Sequence, residues 1–213
     1  MNTESNGFLE VLKARGFDLS QAQTEALLAY RNALLLENEK QNLTRITDDD
    51  AFIDNNLIDC IELEKSGFLG EKNIDWGSGG GIPGLMSAAL WPRKWVLVES
   101  EKAKARFLSE TTAFLGLESH VLVVDQRLET LYKKLPATTI VARAVAGTEK
   151  LLNSLSACST WNNLILLKSK KWSEEWAAAQ PLVKRMRLKL KSTHEYVGGK
   201  SGAYRIIAQV TRG

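Results

Sequence analysis

A ten-residue segment at positions 75–84, with the sequence DWGSGGGIPG, constrains the fold of this chain more than any other. Five of these residues are glycines, and they begin just after Ile74-Asp75-Trp76, which is typical of a strand end. Glu99 lies 22 residues beyond Gly77, at the end of the next predicted strand. A loop with few side chains lets a ligand approach the backbone, and the acid can accept hydrogen bonds from two ribose hydroxyls. The pattern indicates a nucleoside-containing cofactor site in a doubly wound α/β sheet.

Beyond Gly67, short apolar runs alternate with helical stretches. Strands are predicted over residues 74–76, 95–99, 121–124, 139–142 and 164–167. This alternation is typical of a mostly parallel sheet with right-handed crossovers. Two further runs, 188–191 and 204–210, alternate with period two around the turn at 198–202, which predicts an antiparallel pair at the C-terminal edge. We therefore expect an α/β fold with a seven-stranded, doubly wound, Rossmann-like sheet.

The N-terminal part of the chain is predicted to be helical. Apolar residues recur at helical spacing over residues 21–39, and Ser20 is a suitable N-cap. Thr47 precedes three aspartates, which favours a helix start there. We divide the chain into an N-terminal helical extension over residues 1–66 and one compact domain over residues 67–213.

Composition excludes several classes of protein. No apolar run approaches the roughly 20 residues that a membrane span needs, and residues 1–6 lack the basic and apolar regions of a secretory signal. Cys60 and Cys158 lie far apart in apolar surroundings, so we expect reduced core residues. His120 and His194 show no metal-site spacing. We expect a cytoplasmic protein without a metal site.

The distribution of charge points to a polyanion partner. Residues 1–75 carry 7 basic and 15 acidic side chains, whereas residues 168–213 carry 11 and 3. RNA is the simplest candidate for this basic tail, and a solvated strand-and-loop face is the alternative. Trp172 and Trp176, four residues apart, are expected to lie in a helix core rather than to stack on bases. The candidate RNA-binding residues are Lys168, Lys170, Lys171, Arg185 and Arg187.

Two cofactors compete for the glycine-rich loop. The spacing Gly79-x-Gly81-x-x-Gly84 matches the dinucleotide motif, but so short a pattern often occurs by chance. Ile82-Pro83 would also crowd a pyrophosphate, and we find no Tyr-Lys or His-acid pair suited to hydride transfer. A nicotinamide-dependent oxidoreductase is therefore the weaker alternative.

The spacing Asp75-x-Gly77-x-Gly79 directly after a strand favours S-adenosylmethionine instead. The two glycines remove the Cβ atoms that would bar the methionine and ribose parts of this cofactor, and Glu99 accepts from the ribose hydroxyls. Asp75 accepts either from the cofactor ammonium or from a loop N–H group. The helix that starts near Pro83 is expected to aim free N–H groups at the methionine carboxylate.

Several short motifs together carry a family resemblance. They are Asn42-Leu43-Thr44, Leu57-Ile58-Asp59, Gly81-Ile82-Pro83-Gly84, Val98-Glu99-Ser100, Arg106-Phe107-Leu108, Arg127-Leu128-Glu129, Ala142-Arg143-Ala144 and Leu167-Lys168. Over nearly its whole length the chain resembles the RsmG family, also called glucose-inhibited division protein B, of bacterial 16S ribosomal RNA guanine-N7 methyltransferases. The resemblance implies an S-adenosylmethionine-dependent enzyme that acts on ribosomal RNA or the small ribosomal subunit. We expect a monomer with no DNA partner.

The resemblance also assigns residues to the site. It implies cofactor contacts at Gly77, Ile82, Leu128, Glu129 and Arg143, with the Leu128-Glu129 loop closing over the adenine. Arg143 would face the methyl-transfer site as a positioning residue for guanine O6, a phosphate or the cofactor carboxylate. A structural ion pair at a strand end is the alternative for Arg143.

Departures from the family pattern fall on the expected RNA-facing surface. Asn55-Asn56 stand where the family usually has Arg-His, and Ser169 follows Lys168 where the family has glycine. We expect Asn55 and Asn56 to be surface residues rather than base-reading amides. Two alternatives stay open: a non-catalytic RNA-binding or ribosome-assembly module with a retained pocket, and a methyltransferase with a different RNA substrate.

Overall fold

The computed structural model describes residues 3–131, 138–158, 160–200 and 202–213. Two of the segments discussed above lie partly outside these ranges. They are the N-terminal segment 1–6, of which residues 1 and 2 are not described, and the predicted turn, of which Ser201 is not described. Within them, the two cysteines are buried and free, as expected. No helix in this part of the chain is long and apolar enough to cross a membrane.

The described residues form seven strands in one sheet, in the order β3-β2-β1-β4-β5-β7-β6. The first five run parallel, whereas β7 is antiparallel to both β5 and β6. The strands are β1 (Lys72–Trp76), β2 (Lys94–Glu99), β3 (Val121–Asp125), β4 (Thr139–Arg143), β5 (Asn163–Ser169), β6 (Leu188–Gly198) and β7 (Ala203–Arg212). The predicted doubly wound sheet with an antiparallel C-terminal edge is confirmed.

Helices cover both faces of the sheet. They are α1 (Thr3–Ala14), α2 (Gln21–Gln41), α3 (Asp49–Phe52), α4 (Ile58–Lys65), α5 (Gly84–Leu90), α6 (Lys102–Phe114), α7 (Thr148–Leu155), α8 (Trp172–Ala178) and α9 (Gln180–Arg185). A π-helical turn, Ile53–Leu57, joins α3 to α4, and a short 3₁₀ turn, Leu128–Thr130, follows β3.

Local sequence explains the starts of α2 and α3. Ser20 caps α2, and its side chain and that of Gln23 form a reciprocal capping box. The predicted start at Thr47 is shifted by one residue, because the carboxylate of Asp48 accepts the hydrogen bond from the N–H of Ala51, 2.8 Å away. A carboxylate at this position both caps the helix and complements its dipole.

Successive side chains of the strands point to opposite faces of the sheet and pack into two apolar cores. Val96 and Val98 of β2 pack on the face covered by α7, α8 and α9, and this core includes the buried Trp172, as predicted. Trp95 and Leu97 point to the opposite face, where α1 to α6 pack. The helical extension is therefore built onto one face of the sheet; its division from the domain at residue 66 stays a prediction.

The antiparallel edge departs from strict alternation at one point. The pairing register of β6 with β7 shifts between Leu190 and Ser192, so that Lys191 is the extra residue of a β-bulge. The period-two alternation predicted over residues 188–191 is therefore interrupted at Lys191. Leu188 is buried, but Leu190 is 38% exposed.

Helix α2 contacts the glycine-rich loop directly. The buried hydroxyl of Tyr30 donates to the carbonyl of Gly80 over 2.7 Å, and Leu34 packs where a side chain at Gly80 would lie. Burial raises the pKa of Tyr30, so its hydroxyl keeps the proton that it donates. The helical extension thus fixes one side of the loop.

We expect Tyr30→Phe to lower the free energy of unfolding by about 1 kcal/mol, because one buried hydrogen bond to the loop is lost. Urea denaturation monitored by fluorescence measures the change. Tyr204→Phe is the matched control, since Tyr204 lies at the antiparallel edge and is 42% exposed. Equal stability losses in the two variants would contradict the role given to Tyr30.

Candidate functional site

The glycine-rich loop leaves β1 and turns over the end of β2. The N–H groups of Gly77 and Ser78 both donate to the carbonyl of Val98, over 2.9 and 3.2 Å. Gly77, Gly79 and Gly81 have φ angles of 71°, 55° and 97°. Side-chain-bearing residues rarely adopt such angles, so this path of the backbone requires glycine.

The glycines of the loop serve different purposes. A Cβ atom on Gly79 would lie in open space, 3.9 Å from the carbonyl of Gly77. A Cβ atom on Gly84 would lie 2.5 Å from Leu97 and 2.7 Å from the Cβ of Asp75. Gly79 therefore keeps a surface bare, whereas Gly84 permits the close packing of α5 on β1 and β2.

Asp75 is buried and supports the loop from below. Its Oδ2 accepts a hydrogen bond from the N–H of Gly84 over 2.9 Å. Of the two donors predicted for Asp75, this one is the loop N–H group. The N–H groups of Met86 and Ser87 donate to Gly81 and Pro83. The prediction of free N–H groups at the start of this helix is therefore wrong for Gly84, Met86 and Ser87.

Glu99 organises the outer side of the loop. Its two carboxylate oxygens accept from the N–H groups of Gly79 and Glu101, over 2.9 and 2.8 Å, and the residue is 8% exposed. Each oxygen of a carboxylate has two lone pairs, so both keep capacity for a further donor. Glu99 lies where the sequence places it, beside the bare loop at the end of β2.

A cavity of about 170 Å³ opens between the loop and the 3₁₀ turn that follows β3. It is lined by Gly77, Leu128, Glu129 and Val145, among others. Leu128 is buried and Glu129 is exposed, so the turn presents both an apolar wall and a carboxylate. Ile82 is not among the lining residues; it is half-buried and packs against the apolar core on the face covered by α1 to α6.

A second cavity, of about 450 Å³, lies at the carboxyl ends of β4 and β5. It is lined by Asn55, Asp59, Arg143, Ala144, Ala146, Gly147, Leu167, Lys168, Ser169, Glu175, Tyr196 and Arg205. Gly77 and Val145 line the first cavity, and Ala144 and Ala146 flank Val145 in the wall of the second. The two cavities are therefore neighbours along the same edge of the sheet.

Arg143 is held by the helical extension. Its Nε lies 2.8 Å from Oδ2 of Asp59, and its Nη2 donates to the backbone carbonyl of Asn55 and the side chain of Asn56. The structural ion pair considered for Arg143 is thus present, on a side chain that also lines the larger cavity.

The prediction that Asn55 and Asn56 are surface residues is wrong for Asn56, which is buried, while Asn55 is half-buried. Asn56 is buried and accepts from Arg143, and the amide oxygen of Asn55 accepts from Arg205 over 2.8 Å. Both lie in the π-helical turn between α3 and α4, which turns their amides toward the ends of β4 and β7. Helical periodicity alone does not reveal this contact.

The basic tail is divided between two edges of the sheet. Lys170 and Lys171 are exposed beyond the end of β5, next to the larger cavity. Arg185 and Arg187 are exposed just before β6. Leu188, the first residue of β6, pairs with Arg212 of β7, and the neighbouring Thr211 pairs with Asn163 at the start of β5. The length of β5 separates the two groups by roughly 20 Å.

Lys168 differs from the other predicted RNA-binding residues. Its ammonium donates to the carboxylate of Glu175 and to the carbonyl of Ala146, over 2.8 and 3.0 Å, and little of its side chain is exposed. It is therefore part of the cavity wall rather than of an exposed basic surface.

Four polar residues of the larger cavity were not predicted from the sequence: Asp59, Glu175, Tyr196 and Arg205. Asp59 was visible only as the last residue of the Leu57-Ile58-Asp59 motif. Glu175 lies in the segment assigned to a helix core and Arg205 in a predicted edge strand, whereas Tyr196 lies between the predicted strand 188–191 and the predicted turn. Within the described ranges, no three His, Cys, Asp or Glu side chains come close enough together to hold a metal ion.

Comparison with known proteins gives one family. A family model described as rRNA small subunit methyltransferase G matches residues 23–202. The chain belongs to this family. A protein from Rhodopirellula baltica named Ribosomal RNA small subunit methyltransferase G is 34% identical over 191 residues, which cover 88% of this chain and 82% of that protein. A protein of the same name from Pseudomonas syringae pv. syringae is 37% identical over 136 residues, or 63% and 62% of the two chains.

Solved structures support the fold of this family member. The METTL16 methyltransferase domain has a TM-score of 0.57 at 13% identity, with 87% of this chain and 80% of that chain covered. The B. subtilis M1A22 tRNA methyltransferase TrmK has a TM-score of 0.54 at 15% identity, with 71% and 65% covered. At such low identity the likeness concerns the Rossmann-like methyltransferase sheet alone.

The buried carboxyl of Asp75 predicts a pH dependence of stability. Burial raises its pKa to about 6, although the N–H of Gly84 lowers it. A carboxyl whose pKa is higher in the folded than in the unfolded chain stabilises the fold at low pH. This contribution to the free energy of unfolding is lost as the pH rises through the folded-state pKa. We expect the free energy of unfolding of Asp75→Asn, relative to wild type, to rise by roughly 1–3 kcal/mol between about pH 4 and pH 7.5.

Urea denaturation at the two pH values measures this difference. Asp18→Asn is the control, because Asp18 is exposed and no such change is expected for it. A relative stability of Asp75→Asn that is the same at both pH values would contradict the assignment.

Proposed function

We propose that the chain is an S-adenosylmethionine-dependent methyltransferase that modifies guanine N7 in small-subunit ribosomal RNA. The observation that carries the proposal is the pairing of two neighbouring cavities on a chain of this family. One is bounded by a bare glycine loop and the other by Arg143. We further infer that the protein is a cytoplasmic monomer.

The residues around the smaller cavity fit the proposed cofactor. Gly77 and Gly79 keep the backbone accessible, and the free lone pairs of Glu99 suit two ribose hydroxyls. Leu128 offers an apolar wall to the adenine, and Glu129 a carboxylate at its rim. Asp75 supports the loop through Gly84 rather than contacting the cofactor directly.

The chemistry needs no general base. Guanine N7 carries a lone pair and no proton, and the bound cofactor supplies a sulfonium methyl group. The protein has to align N7 with the methyl carbon and exclude water. Arg143, fixed by Asp59 and Asn56, is a positioning residue in the wall of the larger cavity. Lys170 and Lys171, at the same edge, are suited to the RNA backbone.

Binding of S-adenosylhomocysteine tests the cofactor. We expect isothermal titration to give micromolar affinity for the wild-type protein and no detectable heat for Gly77→Arg. An added side chain at Gly77 would start 3.1 Å from Val145 and fill the cavity. Gly7→Arg is the size- and charge-matched control, since a Cβ atom there meets nothing within 4 Å. Absence of heat with the wild type, or equal affinity in Gly77→Arg, counts against the site.

Mapping of N7-methylguanosine tests the substrate. Ribosomal RNA from a strain lacking this protein should lose one such nucleotide in the small subunit, detected by borohydride reduction and aniline cleavage. The wild-type gene should restore it, and the Gly77→Arg gene should not. An unchanged map would remove this substrate and leave the cofactor assignment standing; a co-purified cofactor without any methyl transfer would favour the non-catalytic alternative.

A further inference from the structure

The larger cavity contains two carboxylates, and they differ in the capacity left for a ligand. Asp59 is buried, and its oxygens receive Arg143 Nε at 2.8 Å, Arg205 Nη1 at 2.6 Å and the hydroxyl of Tyr196 at 2.8 Å. Two guanidinium groups neutralise its charge. Asp59 is therefore a structural centre of the cavity rather than a group that binds a ligand.

Glu175 is arranged differently. Its Oε2 accepts from the ammonium of Lys168 at 2.8 Å, the N–H of Thr148 at 2.9 Å and the hydroxyl of Thr148 at 2.8 Å. All three donors converge on one oxygen, and within the described part of the chain no hydrogen bond uses Oε1. The side chain is 31% exposed and lines the cavity.

The surroundings of Glu175 keep it ionised. Partial burial raises the pKa of this carboxyl, but the hydrogen bonds from Lys168 and Thr148 outweigh burial and lower it. An ionised carboxylate accepts hydrogen bonds and donates none. The ligand group that meets Oε1 must therefore be a donor.

Guanine is the base that presents two adjacent donors, N1–H and N2–H, on its Watson–Crick edge. Adenine presents a lone pair at N1, which a carboxylate repels. Reading the Watson–Crick edge requires an unpaired or flipped base, as is usual for RNA recognition and base modification. It also leaves N7, on the other edge of the purine, free to face the methyl donor.

We propose that Glu175 is the residue that selects guanine, by accepting N1–H and N2–H of the target base at Oε1. This inference rests on the proposed function and names the group that sets its substrate specificity. Methylation at N7 places positive charge on the purine, which strengthens the hydrogen bond from N1–H to a carboxylate. Glu175 thus favours the transition state over the unreacted base.

Inosine in place of the target guanosine isolates this contact, because it lacks only the N2 amino group. Small-subunit RNA is ligated from two pieces, with guanosine or inosine at the nucleotide that the wild-type protein modifies. Methyl transfer from labelled S-adenosylmethionine is measured for the wild type, Glu175→Gln and Glu174→Gln. Glu174 is an exposed neighbour on the same helix and controls for the loss of charge.

We expect the wild type and Glu174→Gln to be about tenfold slower on inosine RNA, the effect of one lost hydrogen bond to a charged group. Glu175→Gln should be slower on guanosine RNA and show no further loss on inosine RNA. Its affinity for S-adenosylhomocysteine should equal that of the wild type. A purely structural role for Glu175 would slow both RNAs and leave their ratio unchanged.

The outcomes separate this inference from the proposed function. Equal wild-type rates on guanosine and inosine RNA overturn the role of Glu175 alone, and this comparison holds even where Glu175→Gln does not fold. An undiminished inosine effect in Glu175→Gln overturns it as well. Absence of wild-type transfer to guanosine RNA would overturn the proposed function itself, and this assignment with it.

Discussion

The carboxylate of Asp59 joins three parts of the chain at the larger cavity. It comes from α4 and is contacted by Arg143 at the end of β4, Tyr196 of β6 and Arg205 of β7. Removing one partner of a buried charge typically lowers the stability of a protein by about 3–5 kcal/mol, so each of these contacts depends on the others. The helical extension is therefore a structural part of the cavity and not an appendage to the sheet.

The same extension also fixes the smaller cavity. Tyr30 of α2 holds the carbonyl of Gly80, while Asp75 and Glu99 hold the N–H groups of Gly84 and Gly79 from the sheet side. The loop has positive φ angles that cost conformational freedom, and these contacts from both sides keep it in a single shape. A prearranged cradle of this kind lowers the entropy lost when a ligand binds.

Local patterns predicted the sheet and the glycine loop because the signals are local. Strand periodicity, caps and the Gly77-Gly79 spacing act within a few residues of one another. The network around Asp59 has no such signal, since Arg205 lies 146 residues away in the chain. Asn55 and Asn56 were misplaced for a related reason: a π-helical turn shifts the face that a regular helix would present. The place of Glu175 in the cavity could not be predicted from the sequence, because its partner Thr148 belongs to another helix.

Charge along the sequence and charge in space differ at the C-terminus because the last two strands reverse direction. Arg187 precedes β6 at the amino edge of the parallel strands, whereas Arg205 of β7 pairs with Ser169 at their carboxyl edge. One basic segment therefore supplies both edges of the sheet. A polyanion at the larger cavity would meet Lys170 and Lys171, and would meet Arg185 and Arg187 only by extending along the full length of β5.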